Sequence, residues 1–570
     1  MYITQDDKNL IISFDYNPII ISIVKQLGCA WDKSHKWWTA PKSETNKIVE
    51  ILTKFGFIVD TRIAEEKEKV NLKRKKIDRI LAGNFKECEK ALFDKSGLPL
   101  FEFQKQSCGF MCVTKNSILG LEPGCGKSVT SLAFTVINQT KNNLIVCPAS
   151  LKWQWESEIK KWLPNAIVYV VDGTKKKRDE IYEKALKEEN AFYLVINYEL
   201  LIPDLLMLKN FTFCTILADE STRLNNQKAK QTKNIKELSA TYKFALTGTP
   251  ISNDIIGLWS MMDFCCPGKL GNYWQYINKY CVKQKINLKE KIGKDGKIIK
   301  ARSVNVISGY KNLGELKDFM YEYMIRYKKE EILDQLPPKL YEDIIITFTD
   351  KEKEIYKNVQ ENILSELKEL TIDTKYINDA LVKLVRLKQV CDSLELVSDL
   401  KISSKTETIK ELLQDILQDD SKVIIFTQFS KYAEILNREL KEYNPLLVTG
   451  DTSLEDRKKR MDMFMEDSEH KIIVSSDALS FGVNLYRANY VIHADLPWSL
   501  AKKIQREDRA HRHGQTKNVT VYQMIVKDSV DEYIVKVLQK KEKLSDAILG
   551  DSERLSKVRI SKAEINKLLK

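Results

Sequence analysis

A chain of 570 residues is too long for one hydrophobic core, so two or three domains with well-buried interiors are expected. Its 92 lysines and arginines exceed its 79 aspartates and glutamates, a formal excess of +13 that favours an anionic partner without naming one. Eleven cysteines without a C-x-x-C pair and only five histidines exclude the usual zinc-ligand spacing and point to buried thiols in a reducing compartment. The longest apolar run, near Ile19 to Val24, is far short of the roughly 20 residues a bilayer needs, and Met1 to Asp7 does not resemble a signal peptide. A cytoplasmic protein with no membrane partner is expected.

Residues 1–62 read as a small α+β domain. Leu10 to Phe14 is strand-like, Pro18 to Leu27 helix-like, Cys29 to Thr39 alternates about a turn at Asp32 to His35, Glu44 to Phe55 is an amphipathic helix and Phe57 to Val59 a closing strand. Trp31, Trp37 and Trp38 stand among Lys33, His35 and Lys36; adjacent strand residues point to opposite faces, so Trp37 and Trp38 cannot both fill the same core. An exposed ring there would stack on an unpaired base, although rings that simply close a small core would look the same. Residues 63–99 form a basic linker or solvated helix, with Lys67 to Lys76 lacking a deep apolar stripe.

From residue 100 the pattern changes. Ile118 to Leu132 runs from an apolar segment through Gly124-Cys125-Gly126-Lys127-Ser128 into residues at helical spacing, the signature of a phosphate-binding loop. Gly124 and Gly126 let successive N–H groups converge on one anion, Lys127 supplies a point charge, Ser128 a magnesium ligand, and the helix opening near Lys127 its positive dipole end. The strict pattern wants glycine where Leu121 stands, so the motif alone is a near miss. Short apolar runs at Asn143 to Cys147, Tyr193 to Ile196, Thr215 to Ala218 and Phe244 to Leu246 predict a parallel sheet with its chemistry at the strand C-termini. A second set, Lys422 to Phe426, Pro445 to Val448, Lys471 to Ser475 and Tyr490 to His493, predicts a second sheet. The fold class is therefore α/β, with two tandem lobes: lobe one over 100–335, lobe two over 336–545 with Leu336 to Lys339 at the boundary, and a basic tail over 546–570. A further basic patch, Lys283 to Arg302, holds eight lysines and arginines against two acids around a hairpin turn at Lys294 to Lys297. It is either a DNA contact or solvated surface.

Asp219-Glu220 closes a predicted strand about ninety residues after Lys127. Adjacent carboxylates there suit phosphoanhydride hydrolysis, Asp219 holding magnesium and Glu220 polarising the attacking water. In the second lobe Arg509 and Arg512 are three apart, hence on one helix face, and would neutralise charge developing on a transferred phosphoryl group. Glu507 and Asp508 offer the alternative of a salt-bridged surface helix.

The chain as a whole resembles the superfamily two ATPases of the Swi/Snf type, in order from about residue 100 to 540. Phe103-Gln104 resembles the adenine-reading glutamine motif, Ile145 to Leu151 with Trp155-Glu156 motif Ia, and Asp219 to Asn226 the D-E-A-H segment, with Thr222 in place of its histidine. Leu246 to Asn253 is similar to motif III; Phe426 to Phe429, Thr449 to Thr452 with Arg457, Gly482 to Leu485 and Gln505 to Gln515 are similar to motifs IV to VI, with Asp508 in place of the more common glycine. Gly28 to Asp32 and Trp37 to Pro41 resemble the HARP domain of the annealing-helicase branch. The resemblance implies a RecA-like fold for both lobes and a DNA-dependent ATPase using ATP and Mg2+. Gln104, Gly124, Gly126, Lys127, Ser128 and Asp219 would hold the nucleotide, Ser128 and Asp219 the metal, and Lys127, Glu220, Arg509 and Arg512 would act in catalysis. Ser150, Asn197, Tyr198, Gln428 and Asn484 would face the DNA strand.

The implied function is a monomeric motor that binds duplex, fork or junction DNA without reading sequence and remodels branched or bubbled DNA, with a single-strand binding protein as a possible partner. A strand-separating helicase and a remodeler displacing proteins from DNA stay open. The stretch up to Lys570 carries no bromodomain-like or chromodomain-like segment, which sets the expectation against a chromatin machine. A non-enzymatic scaffold would require loss of a catalytic residue, and all six of Lys127, Ser128, Asp219, Glu220, Arg509 and Arg512 are present.

Overall fold

The computed structural model describes the chain apart from residues 7–8, 42–44, 252–254, 289–290, 293–297, 300–301, 328, 330–336, 369–383, 419–420, 480–484, 513, 548–554 and 557–570. The turn expected at Lys294 to Lys297, Ser252 and Asn253 after motif III, Gly482 to Asn484 of motif V and most of the basic tail therefore lie outside the described residues.

At the N-terminus five short strands form a mixed sheet in the order Ala30–Asp32, Trp37–Pro41, Asn9–Ser13, Tyr2–Gln5, Ile58–Val59. Ile3, Leu10, Ile12, Trp38 and Ala40 face the helices Pro18–Gln26 and Thr45–Thr53, which contribute Ile20, Val24, Ile48, Val49 and Leu52 to the same core. The first of these helices starts where it does because the Asn17 side chain accepts the N–H groups of Ile19 and Ile20 and Pro18 needs no partner in the first turn. Strand alternation settles the tryptophans. Trp38 is buried, Trp31 leans on it at 5.4 Å yet stays 47% exposed, and Trp37 points to the opposite face, stacked on His35 at 4.8 Å. Asp32 pins the intervening turn by accepting from Ser34 and His35.

Residues Thr61–Leu81 form one helix, capped by the Asp60 side chain. Its middle is exposed, Val70 and Leu72 included, as the charged run there predicts. Each end buries apolar side chains. Ile63 joins the N-terminal core, while Ile77 joins Phe93 and Phe103 in the core of the first lobe. Two of the basic groups are already engaged: Lys73 lies 4.4 Å from the Tyr323 ring centroid, and Arg74 pairs with Glu322 at 2.6 Å. Lys69, Lys75 and Lys76 are exposed. Neutralising these three together is expected to flatten the log–log salt dependence of duplex binding by about 0.9 for each phosphate they would otherwise neutralise. An unchanged slope would leave them as solvated surface.

The first lobe is a seven-stranded parallel sheet in the order Met324–Tyr327, Asn116–Leu121, Ala240–Leu246, Phe213–Ala218, Asn142–Cys147, Phe192–Asn197, Ile167–Val170. Cores lie on both of its faces, which is why its central strands read as continuous apolar runs rather than alternating ones. The second lobe is a six-stranded parallel sheet, Lys339–Ile346, Val519–Val526, Tyr490–His493, Val423–Phe426, Ile472–Ser475, Leu446–Val448. The fold is α/β, with two RecA-like parallel-sheet lobes and a small mixed sheet ahead of them. Every strand expected from an apolar run is present within a few residues. The strands Ile167–Val170, Met324–Tyr327, Lys339–Ile346 and Val519–Val526 are additional to those expected; the first three stand at sheet edges and the last lies inside the second sheet.

Candidate nucleotide-binding cleft

Four strands of the first lobe end at one place. The strand Asn116–Leu121 runs into the phosphate loop, the strand Phe213–Ala218 into Asp219-Glu220, the strand Ala240–Leu246 into Thr247-Gly248, and the strand Asn142–Cys147 into the turn before the helix Lys152–Trp162. Gly124 and Gly126 both have positive φ, 91° and 79°, and the helix Lys127–Ile137 starts directly after them. A Cβ on Gly126 would collide with the Gln104 amide, and one on Gly248 would fall 2.6 Å from Pro123 Cδ, so the loop is clamped on both sides by neighbours that leave no room for a side chain. Lys127 folds back, its ammonium donating to the Leu121 carbonyl at 3.0 Å.

Asp219 is buried, and its Oδ2 accepts from Trp155 Nε1 at 2.9 Å while Oδ1 accepts the Glu220 N–H at 2.9 Å. Glu220 is held at φ 47°, the left-handed region, which turns its carboxylate out of the strand line. Burial pushes both carboxyl groups up from their ordinary range, and the nearby Lys127 ammonium opposes that rise.

The second lobe closes the other side. Gln505, on the helix Leu500–Glu507, donates from Nε2 to Glu220 Oε2 at 3.4 Å. Arg509 and Arg512 line a cleft of about 280 Å³ together with Gly124, Gly126, Lys127, Ser128, Asp219 and Glu220. Arg509 Nε donates to the Gln505 carbonyl at 3.0 Å, and burial and then the neighbouring Arg512 bring its guanidinium down to about 9, still a cation at neutral pH. Leu151, Gln154, Trp155, Glu158 and Trp162 form a further wall.

Eight of the nine nucleotide-site and catalytic residues expected from sequence thus meet in one cleft. Gln104 stands behind it: its Oε1 accepts the Phe101 N–H at 2.9 Å and its Nε2 donates to the Cys125 carbonyl at 3.1 Å, so in this structure it braces the phosphate loop. Among the expected DNA-facing residues, Ser150 is exposed and Gln428 half-buried. Tyr198 is a correction. It is wholly buried, its hydroxyl donating to the Asp219 carbonyl at 2.7 Å, and Asn197 is buried beside it, donating to Glu199. Asn197 ends the strand Phe192–Asn197, which is buried throughout, and Tyr198 follows directly on it, so both are carried into the lobe rather than onto it. The roles of Trp155 and Gln505 are not evident from sequence, although both stand inside recognisable motifs, because their contacts reach across elements far apart in the chain.

The residues present fit a magnesium-bound nucleoside triphosphate. The loop forms an anion cradle with a cation in it, and Ser128 and Asp219 offer hard oxygen ligands of the kind magnesium takes one or two of beside phosphate oxygens. Two RecA-like lobes, with the phosphate loop in one and paired arginines of the other in the same cleft, define the class of two-lobed P-loop motors. The SNF2-related domain matches residues 48–396 and the helicase conserved C-terminal domain residues 404–514, and the chain belongs to the SNF2-related family. It is similar to an uncharacterized ATP-dependent helicase of Mycoplasma genitalium, 29% identical over 75% of this chain and 40% of the relative. It is also similar to the putative ATP-dependent helicase/translocase YwqA of Bacillus subtilis, 27% identical over 81% of this chain and 50% of the relative. The chain thus spans half or less of the length of these curated relatives. Among solved structures, the Sulfolobus solfataricus SWI2/SNF2 ATPase core in complex with dsDNA is 28% identical over 82% of this chain and 96% of that one, with a TM-score of 0.37.

Proposed function

We propose that this chain is an ATP-driven DNA translocase that remodels branched or bubbled DNA, reannealing strands or regressing forks. The observation that carries the hydrolytic half is the cleft itself, where Glu220 of one lobe meets Gln505, Arg509 and Arg512 of the other. Bound ATP and Mg2+ would supply the phosphoanhydride and the electrophilic polarisation of its terminal phosphoryl group. Lys127 and the loop N–H groups position the phosphates, Trp155 orients Asp219 as a metal ligand, Glu220 accepts the proton of the attacking water, and Arg509 and Arg512 balance the charge that develops. Because Gln505 of one lobe touches Glu220 of the other, a grip on DNA that holds the two lobes together would raise turnover. Family membership and the basic excess support DNA as that stimulus. Comparing ATPase rates with no DNA, single strands, duplex and forks tests the proposal. Equal rates in all four would overturn the DNA half.

Preference for forks or bubbles must come from outside a motor that grips only backbone. The exposed Trp31 and half-buried Trp37 of the N-terminal sheet, with Lys33 and Lys36 at their hairpin, are the support for a single-strand contact there, since stacking contributes about 1–3 kcal/mol per base. Deleting residues 1–62 is expected to spare duplex-stimulated ATPase while removing fork preference and the rewinding of a bubble held open by a single-strand binding protein. A labelled-strand gel comparing rewinding with unwinding checks this. Robust displacement of a long strand from a partial duplex, unaffected by the deletion, would favour the strand-separating helicase instead.

A further inference from the structure

Lys329 belongs to the first lobe by sequence and by anchoring. It lies two residues beyond the strand Met324–Tyr327, which pairs with the phosphate-loop strand, and its N–H donates to Glu122 Oε2 of the loop at 3.1 Å. Its side chain crosses to the second lobe. The ammonium sits 2.7 Å from Asp508 Oδ1 and donates to the His511 carbonyl at 2.8 Å; the Lys329 and Asp508 side chains are 2% and 1% exposed. Asp508 and His511 each immediately precede one of the two cleft arginines, Arg509 and Arg512. A Cβ on Gly124 would fall 3.4 Å from Arg512 and 3.6 Å from Lys329 Cε, so loop, lysine and arginine are packed together. Yet Lys329 does not line the cleft, and both contacts of its ammonium hold the turn rather than a substrate.

We infer that Lys329 is a positioning residue for the hydrolytic reaction: a lobe-one ammonium that grips the turn 508–511 of lobe two and so holds Arg509 and Arg512 against the phosphate loop. The inference rests on reading the cleft as an ATP site. Lys339, the first residue of the lobe-two strand Lys339–Ile346, stands 3.3 Å from the same Asp508 oxygen and 3.2 Å from Glu507. Hence the latch can be cut at Lys329 without leaving Asp508 as a lone buried charge, the situation that makes breaking an ion pair ruinous for folding.

The test uses the full chain with Lys329→Met, Asp508→Asn and the double variant. Each single variant is expected to lower kcat by about 10²-fold, the cost of a reacting geometry displaced by about an ångström, with ATP affinity little changed. The double variant should cost no more than the worse single one, since both cut the same link. Amide hydrogen exchange without nucleotide gives a second readout: residues 505–512 should exchange faster in Lys329→Met, while the strands of both lobes keep their protection. Wild-type exchange at 505–512 in Lys329→Met would overturn the latch whatever the chemistry of the cleft. A wild-type chain without ATPase, but with the exchange difference intact, would instead strike at the ATP reading. Rate losses that multiply in the double variant would also overturn the latch, because they would show two independent roles.

Discussion

Replacing Glu220 with glutamine is expected to stop ATP turnover while leaving ATP binding in place. The substitution is nearly isosteric and keeps the acceptor that Gln505 Nε2 meets at 3.4 Å, so the cleft should retain its shape. What goes is the basic oxygen. A positioned general base contributes about 10²–10⁴-fold, and that is the loss expected in kcat. Burial raises the Glu220 carboxyl above its ordinary range, against the opposing Lys127 ammonium, and so strengthens the basic oxygen that glutamine lacks. The left-handed backbone at Glu220 supplies its own control: glutamine at φ 47° carries the same strain as glutamate, so a lost rate cannot be laid to a relaxed turn. Lys127→Ala should differ by weakening ATP binding as well, because the removed charge is one that binds phosphate before any chemistry. Turnover near wild type in either purified variant, with binding measured separately by a fluorescent nucleotide, would remove the assignment.

How far the sequence reaches depends on the range of the interaction involved. The phosphate loop is legible because its requirements are local: two glycines with positive φ, a lysine and a hydroxyl, then a helix. Asp219-Glu220 is legible from its strand and its distance along the chain. The lobe-two arginines are legible as a pair three residues apart but not as a helix face, since the helix Leu500–Glu507 ends before them and both lie in the turn that follows; the alternative of a surface salt-bridge cluster is half right as well. Glu507 and Asp508 are indeed ion-paired, to Lys503, Lys339 and Lys329, yet the two carboxylates are buried. Lys329 gives no signal at all. Adjacent to Lys328, it reads as one more surface charge, and only the packing of one lobe on the other makes it a buried group. Tyr198 fails in the opposite direction, since a polar tip on an aromatic ring after a strand does not say whether the hydroxyl meets solvent or a backbone carbonyl. The helix Thr61–Leu81 shows the same limit. Its exposed middle follows from the charged run, whereas Ile63 and Ile77, too far apart to mark a stripe, are anchors for two different cores.

The second large effect is expected at Arg509. Its guanidinium reaches the cleft from the lobe that carries no phosphate loop, and its Nε is fixed by the Gln505 carbonyl four residues back, so the charge is placed before any phosphate arrives. Preorganised charge of this kind acts mainly on the transition state, and removal of an arginine finger costs about 10³–10⁵-fold in kcat. Arg509→Ala should therefore bind ATP through the intact loop and hydrolyse it at a rate close to background. Arg509→Lys should recover little, because an ammonium lacks the planar fork and could not keep both the Gln505 carbonyl and a phosphoryl oxygen. The pair of kinetic constants separates this from the phosphate-loop lysine: a loss confined to kcat marks an interaction made in the transition state, whereas a rise in KM marks one already made in the ground state. DNA adds a further discrimination. Arg509 is bonded to the same Gln505 that meets Glu220 across the lobes, so Arg509→Ala should lose DNA stimulation together with basal turnover. If DNA still stimulated the residual rate by the wild-type factor, closure of the lobes would be reaching Glu220 by a route that does not pass through this arginine, and Arg509 would be reduced to one of the walls of the cleft.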